Sequence, residues 1–136
     1  MTDIDKLQAA LATLFAPWVQ QLQLRVLEAR EGEVVFALPV HARHVHGGGV
    51  MCGQTMMAAA DTAMVLAIMT HLGEFKPMTT VQMQTSFLRP IAGGSADARM
   101  TARVLRMGRS IVFGEIEIAD AAGKLAAHAT TTYALL

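Results

Sequence analysis

The sequence predicts an α+β fold in which an antiparallel sheet wraps around one long buried helix. Residues 54–72 are rich in Ala and Met and are apolar on nearly every side, which indicates a fully buried helix. Much of the remaining chain alternates between apolar and polar residues, with short turns between these runs, as in antiparallel strands. At 136 residues, the chain is expected to form one domain over residues 1–136.

The first third of the chain predicts a helix followed by a hairpin. Apolar residues recur at helical spacing over residues 4–15, and Pro17 marks the predicted end of this N-terminal helix. The period then changes to two over residues 22–26, which predicts a strand. A turn at residues 30–32 leads into a second predicted strand over residues 33–38.

Four strands are predicted after the buried helix, over residues 81–87, 98–104, 111–118 and 125–135. Short turns force antiparallel pairing, so these strands are expected to form a meander in which each lies beside the next. A single sheet of this size does not cover an apolar helix on all sides. A second subunit is therefore expected to complete the cover.

Composition limits the functional classes. Hydrophobic residues make up 53% and charged residues 16% of the chain, which excludes intrinsic disorder. Eleven basic residues balance eleven acidic ones, so the bulk electrostatic basis for binding nucleic acid or an anionic membrane is missing. The helix over residues 54–72 is expected to be too short for a membrane span, and it contains Asp61. The low charge predicts a homo-oligomer, a dimer at least, with a tetramer as the expected form.

The N-terminus predicts a cytoplasmic protein. Residues 1–5 are acidic where a secretory signal would be basic and then apolar. Cys52 is the single cysteine, which excludes an intramolecular disulfide.

Asp61 is the strongest signal of chemistry. It is the only charged residue between Arg43 and Glu74, and it lies in the middle of the apolar helix. A buried carboxylate costs several kcal/mol unless it is paired or hydrogen-bonded. It is either a general base or nucleophile, or a structural carboxylate satisfied across a subunit interface by Arg or backbone groups.

The segment before the helix is the second signal. Glycines at 47–49 and at 53 bring flexible backbone up to a helix N-terminus, where exposed N–H groups can hold an oxyanion. Gly53 lies eight residues before Asp61, or ~12 Å along a helix axis. A ligand can lie between them only if an extended substrate runs along the helix or if Asp61 comes from the opposite subunit. Cys52 is either a thiolate activated by the helix N-terminus or a small apolar residue.

Histidines and arginines offer weaker candidates. The spacing of His41, His44 and His46 matches no common zinc motif, so no metal site is predicted. His41 and His44 are expected to be solvated, and His46 to line the site. Arginines at 89, 103, 106 and 109 could hold phosphates, although those at 103 and 106 are expected on a solvated sheet face. The methionines at 51, 56, 57, 64 and 69 are expected mostly in the core.

These residues together give the chain a resemblance to hotdog-fold acyl-CoA thioesterases of the phenylacetate-pathway branch. The matching stretches are the Gly-rich loop into the helix containing residues 56–61, then residues 80–83, 87–90, 108–109 and 123–127. Their order and spacing are fairly specific for the fold and moderately specific for the activity. The resemblance implies hydrolysis of an acyl-CoA thioester, with coenzyme A entering only as part of the substrate and no other cofactor.

The resemblance also assigns roles within the site. It implies that Asp61 activates water or attacks the thioester, and that the Gly53 N–H polarises the thioester carbonyl. His46, fifteen residues before the carboxylate, takes the place of a polar side chain that orients water or substrate. Thr79 or Thr80 supplies a hydroxyl. In this family the catalytic groups come from both subunits of a dimer, which removes the distance problem.

The chain departs from the family pattern just before the helix. The family usually has His-Gly-Gly there, but Cys52 holds the His position and Gln54 replaces the second Gly. The His-Gly-Gly at residues 46–48 lies six residues earlier, and it fills that slot only if the helix register or the loop length differs. The departure indicates an unusual acyl pocket.

The resemblance therefore predicts two sets of binding residues and leaves two alternatives open. The predicted substrate-binding residues are Cys52, Gln54, Met57, Thr79 and Thr80, and the predicted CoA-binding residues are Arg89, Gly108 and Arg109. One alternative is an enoyl-thioester hydratase or dehydratase that uses His46 with Asp61. The other is a non-catalytic acyl-CoA-binding protein.

Overall fold

The computed structural model describes residues 3–136, so Met1 and Thr2, part of the acidic stretch discussed above, lie outside the described residues. Within that range the α-helices are α1 (Ile4–Thr13), α2 (Pro17–Gln20) and α3 (Gly53–Leu72), and a short 3-10 helix spans Ala42–His44. The strands are β1 (Arg25–Arg30), β2 (Glu33–Leu38), β3 (Met78–Phe87), β4 (Ala98–Met107), β5 (Ile111–Ala119) and β6 (Leu125–Leu135).

The N-terminal region differs in detail from the prediction. Helix α1 begins where the Asp3 carboxylate accepts a hydrogen bond from the Asp5 N–H, at 2.9 Å. Pro17 opens the short helix α2, because a proline at the first helical position loses no backbone hydrogen bond. Strand β1 begins only at Arg25, because Gln23 has a φ of 56° and interrupts the extended backbone.

The six strands form one antiparallel sheet in the order β1-β2-β4-β5-β6-β3. The predicted meander is correct for β4, β5 and β6, but it is wrong for β3, which pairs with β6 at the far edge. Strand β2 takes the place beside β4. The connection over residues 88–97 is too long for a hairpin, and it is anchored by the buried Ile91 and by a bridge between Val50 and Ala92.

Helix α3 lies against one face of the sheet and forms the centre of the core. It packs against β2 to β6, and most of its twenty residues are buried. Gly114 of β5 allows a close approach, because a Cβ at this position would lie 2.4 Å from Cε of Met64. The helix ends at Gly73, whose φ of 79° is the left-handed conformation that glycine adopts readily.

Burial accounts for the apolar character of α3. The helix is long and apolar enough to cross a membrane by length and composition, which corrects the expectation that it is too short. However, 72% of its apolar window is buried inside the protein. A helix that is apolar all round is what the centre of such a core requires.

Candidate active site

Asp61 is held by two hydroxyl groups. Its side chain is half-buried on α3. Thr80 of β3 donates a hydrogen bond to Oδ1 at 2.7 Å, and the hydroxyl of Tyr133 on β6 lies 2.5 Å from the same oxygen. No ion pair of the described residues involves this carboxylate. It therefore has neutral donors and no counter-ion among residues 3–136.

The pairing of β3 with β6 creates this arrangement. Thr80 and Tyr133 are direct partners in the register of the two strands, and both side chains face α3. Tyr133 is 3% exposed. Burial, followed by the nearby Asp61 carboxylate, raises the pKa of Tyr133 above its usual value, so the hydroxyl keeps its proton and acts as a donor. Sequence reasoning missed this residue.

The two oxygens of Asp61 differ in their surroundings. Both hydroxyl groups contact Oδ1, whereas Oδ2 has no hydrogen-bond partner within residues 3–136. Oδ2 is therefore the oxygen of Asp61 that is free of protein donors among the described residues.

The predicted substrate-binding residues on α3 share a face with Asp61. Gln54 and Met57 precede it by seven and four residues, which places all three on one side of the helix, and both are exposed. Met57 is the exception among the predicted core methionines, since the other four are buried. Thr79 is exposed, and it is Thr80 that reaches the carboxylate.

The N-terminus of α3 offers an unpaired backbone donor. Cys52 is the N-cap residue but provides no side-chain cap. Gly53 follows as the first helical residue, and its N–H donates to no acceptor within residues 3–136. A Cβ at Gly53 would lie 3.1 Å from Cζ of Phe87, so glycine lets the phenyl ring of β3 pack directly on this backbone.

A groove of about 390 Å³ opens at this helix end. Most of the residues that line it are apolar: Val50, Met51, Gly53, Met56, Phe87, Leu88, Arg89 and Pro90. Arg89 is exposed and is the only charged residue in this lining. The predicted CoA-binding arginine and the predicted oxyanion donor therefore face the same groove.

Cys52 is not among the residues that line the groove. Its Sγ lies 2.9 Å from Oγ1 of Thr55, which is in turn 3.3 Å from Nδ1 of His44. Burial is the main cause that lowers the pKa of His44, and the neighbouring Arg43 and His41 lower it further. His44 is accordingly half-buried rather than fully solvated as predicted.

His46 lies in an exposed turn before the helix. Its Nδ1 accepts a hydrogen bond from the Gly48 N–H at 2.8 Å, and its backbone N–H donates to the carbonyl of Val50. The helix begins at Gly53, so Cys52 and not His46 occupies the position before it. The structure does not bring His46 into contact with Asp61 or into the lining of the groove.

Gly108 and Arg109 lie at the other end of the sheet from Arg89. They form the turn between β4 and β5, and a Cβ at Gly108 would lie 2.4 Å from the carbonyl oxygen of Ile111. This turn lies beside the end of β3 that holds Thr80, since Ile111, Ala134 and Thr79 are successive neighbours across the sheet. One chain alone therefore does not place both predicted CoA-binding arginines around one ligand.

A further cleft, of about 470 Å³, lies elsewhere on the outer face of the sheet. Its arginines already have partners: Arg99 pairs with Glu28, and Arg103 pairs with Glu33 at 2.9 Å and with Glu117 at 2.5 Å. The hydrogen bond with Glu117 is the main cause that raises the pKa of Arg103. The cleft is lined by side chains that already form ion pairs, and neither Asp61 nor Gly53 lines it.

Among residues 3–136, no three His, Cys, Asp or Glu side chains are grouped to hold a metal ion.

Comparison with known proteins identifies the family. The sequence pattern of the thioesterase superfamily matches residues 43–127, which include Gly53, Asp61 and Arg89. The chain belongs to this superfamily. A Thermoplasma volcanium protein with a provisional esterase name is 32% identical over 118 residues, covering 87% of this chain and 86% of the relative. Human acyl-coenzyme A thioesterase 13 is 26% identical over 112 residues, covering 81% of this chain and 78% of the relative.

Solved structures of thioesterases share the fold. Zebra fish thioesterase superfamily member 2 superposes with a TM-score of 0.87 at 27% identity, covering 98% of each chain. The PaaI protein of the E. coli phenylacetic acid degradation operon gives a TM-score of 0.83 at 21% identity, covering 98% of this chain and 95% of that protein. The predictions of a hotdog fold and of a thioesterase enzyme are confirmed. The roles of individual residues stay predictions.

Proposed function

We propose that this thioesterase hydrolyses acyl-CoA thioesters, with Asp61 as the general base or nucleophile. The observation that carries the proposal is the Asp61 carboxylate, which lies in an apolar helix with two neutral donors and no ion-pair partner in the described part of the chain. A carboxylate that an Arg or Lys neutralised would be a weaker base. The similarity to human acyl-coenzyme A thioesterase 13 supports coenzyme A as the carrier of the acyl group.

The chemistry requires a base, an oxyanion donor and an apolar pocket. Asp61 accepts a proton from water as the water oxygen bonds to the thioester carbon, and the Gly53 N–H stabilises the negative charge that develops on the carbonyl oxygen. The C–S bond then breaks, and the sulfur leaves as the thiolate of CoA, which takes up a proton. If Asp61 attacks the thioester itself, water hydrolyses the resulting anhydride. The apolar groove beside Gly53 and the exposed Met57 offer surface for the acyl chain.

Two copies of the chain are needed to assemble this site. Gly53 and Asp61 are separated by ~12 Å along α3, whereas a base and an oxyanion donor must act on one thioester carbon. An antiparallel pairing of β3 with β3 of a second copy would set the Thr80 end of one strand beside the Phe87 end of the other. Asp61 of one subunit would then approach Gly53 of the partner subunit.

The two edges of the sheet support this pairing. At one edge, the short strand β1 carries Arg25, Glu28 and Arg30, and charged side chains protect an edge against association. At the other, β3 is ten residues long, carries no charged side chain, and leaves Val81 59% and Phe87 49% exposed. An uncharged edge of this length is expected to pair with another chain.

The same two-fold arrangement would bring the predicted CoA-binding residues together. Arg89 follows the Phe87 end of β3, and Gly108 and Arg109 lie beside the Thr80 end. Antiparallel β3 strands would place Arg89 of one subunit near Arg109 of the partner subunit, where both could bind CoA phosphates. The exposed Ile111 and Phe113 on the outer face of the sheet offer a second contact through which two dimers would form a tetramer.

The test is thiol release from short, medium, long and aryl acyl-CoAs, with Asp61→Asn beside the parent protein. Loss of the base should lower the rate by ~10² or more while the variant stays folded. Equal rates would show that Asp61 is structural. With an enoyl-CoA in the same panel, a hydrated thioester without free CoA thiol would identify a hydratase, and binding without turnover would identify an acyl-CoA-binding protein.

A further inference from the structure

Tyr133 has no assigned role, yet it contacts both the main chain and the side chain of Asp61. Its hydroxyl lies 2.8 Å from the Asp61 carbonyl oxygen and 2.5 Å from Oδ1. An aspartate on a helix can otherwise rotate about both side-chain torsions, and the two carboxylate oxygens exchange places easily. A donor that is itself fixed would remove this freedom.

Tyr133 is better placed for this purpose than Thr80. The tyrosine is 3% exposed and lies on β6, which is paired on both sides, by β5 and by β3. Thr80 lies on the edge strand beside a bulge, where the backbone is less constrained. The charged carboxylate is a stronger acceptor than the carbonyl, so the tyrosine proton belongs to Oδ1 when Asp61 is ionised. When Asp61 is protonated, the carbonyl still offers the hydroxyl a partner.

We propose that Tyr133 is a positioning residue, which holds Oδ1 of Asp61 so that Oδ2 alone faces the reacting water. This inference rests on the proposed function, because it assigns the proton transfer to one oxygen of the base. In the hydrolytic step, Oδ2 takes the proton from water while Oδ1 keeps its two hydroxyl donors. Oδ2 has no hydrogen-bond partner within residues 3–136, so it is the oxygen that the water molecule would approach.

Tyr133→Phe tests the proposal, with Thr131→Val as its matched control. The first variant removes the hydroxyl and keeps the ring in the core. Thr131 lies on the same strand and is equally buried, but its hydroxyl donates to the Gln82 carbonyl at 3.1 Å and not to Asp61. Each variant loses one buried hydrogen bond, so both should lower the melting temperature to a similar, small extent.

Only Tyr133→Phe should change catalysis. We expect kcat to fall about tenfold with KM within about twofold of the parent, because the lost interaction acts on the base and not on the substrate. A carboxylate that loses a donor is less stabilised in its charged form and takes up its proton at higher pH. Since the charged form is the active one, the acidic limb of the pH–rate profile should move to higher pH in this variant alone. Kinetics equal to those of Thr131→Val, with an unmoved acidic limb, would overturn the proposal.

A second measurement separates this proposal from the function on which it rests. The Asp61 carboxyl carbon can be followed by carbon-13 NMR during a pH titration, and Asp61→Asn assigns the signal. A titration midpoint that rises in Tyr133→Phe and not in Thr131→Val supports the positioning contact even if no acyl-CoA is hydrolysed, an outcome that would overturn the proposed function alone. An unchanged midpoint would overturn the positioning role whatever the activity.

Discussion

The Gly53 backbone combines two properties that an oxyanion donor needs. Its N–H is unpaired within residues 3–136 and lies at the positive end of the helix dipole of α3. The missing side chain lets Phe87 pack on it, which closes one wall of the groove. These two contributions, the amide hydrogen and the lack of a Cβ, can be separated by substitution.

Gly53→Pro and Gly53→Ala make this separation. Both add a Cβ that would lie 3.1 Å from Phe87, but only proline removes the amide hydrogen. Proline is tolerated at the first helical position, and the preceding Cys52 has a ψ of 147°, which suits a residue before proline. If the N–H stabilises the oxyanion, Gly53→Pro should have a kcat ~10²–10³ below that of Gly53→Ala in a thiol-release assay. Equal values for the two variants would assign the oxyanion to another donor.

Asp61 can be predicted from the sequence, but its contact with Tyr133 cannot. Asp61 can be found because it is the only charge in a long apolar segment. Tyr133 lies 72 residues away, and its contact depends on the register of β3 against β6. The available signal was that the single tyrosine of the chain occupies an inward position in the alternating pattern of the last strand. A buried tyrosine needs a partner for its hydroxyl, and the buried carboxylate needed a donor.

At the scale of elements, β3 determines whether the site can form. It supplies Thr80 to Asp61 and Phe87 to Gly53, and it is also the edge strand without charged side chains. The order of strands was predictable only in part, because consecutive strands are neighbours in most sheets and β3 is not a neighbour of β4. The ten residues that join them resemble two successive turns in sequence, although they form one long connection.

A lysine at Val81 should disrupt the proposed pairing of β3 strands. Val81 is 59% exposed at the bulge of β3, and charged side chains on an edge strand oppose association. Val81→Lys should sediment as a monomer and lose thiol release while it keeps its circular dichroism spectrum. Leu14→Lys is the matched control, since Leu14 is an exposed apolar residue at the end of α1, and this variant should keep the assembly of the parent. A Val81→Lys protein that stays dimeric would place the interface elsewhere.

At the scale of the whole molecule, the fold separates the Asp61 carboxylate from the Gly53 N–H, although the proposed reaction needs both at one thioester. Each chain holds Asp61 beside Thr80 and the unpaired Gly53 amide beside Phe87, and the two groups lie ~12 Å apart along α3. In the proposed dimer, the two ends of β3 would therefore belong to two different sites. A symmetric dimer gains two complete sites at once, since a two-fold axis through β3 relates each half to the other.

A mixed dimer tests this arrangement directly. Asp61→Asn and Gly53→Pro each inactivate both sites of a symmetric dimer. In a heterodimer of the two variants, one site would carry both defects, and the other would combine the intact Gly53 of one subunit with the intact Asp61 of the partner subunit. Random pairing of equal amounts should thus restore about a quarter of the parent activity, because half of the dimers are mixed and each has one working site. If each site took both residues from one chain, every site in the mixture would be defective, and no activity would return. The control is a mixture of the two proteins that have not exchanged subunits, which should show only the sum of their separate activities.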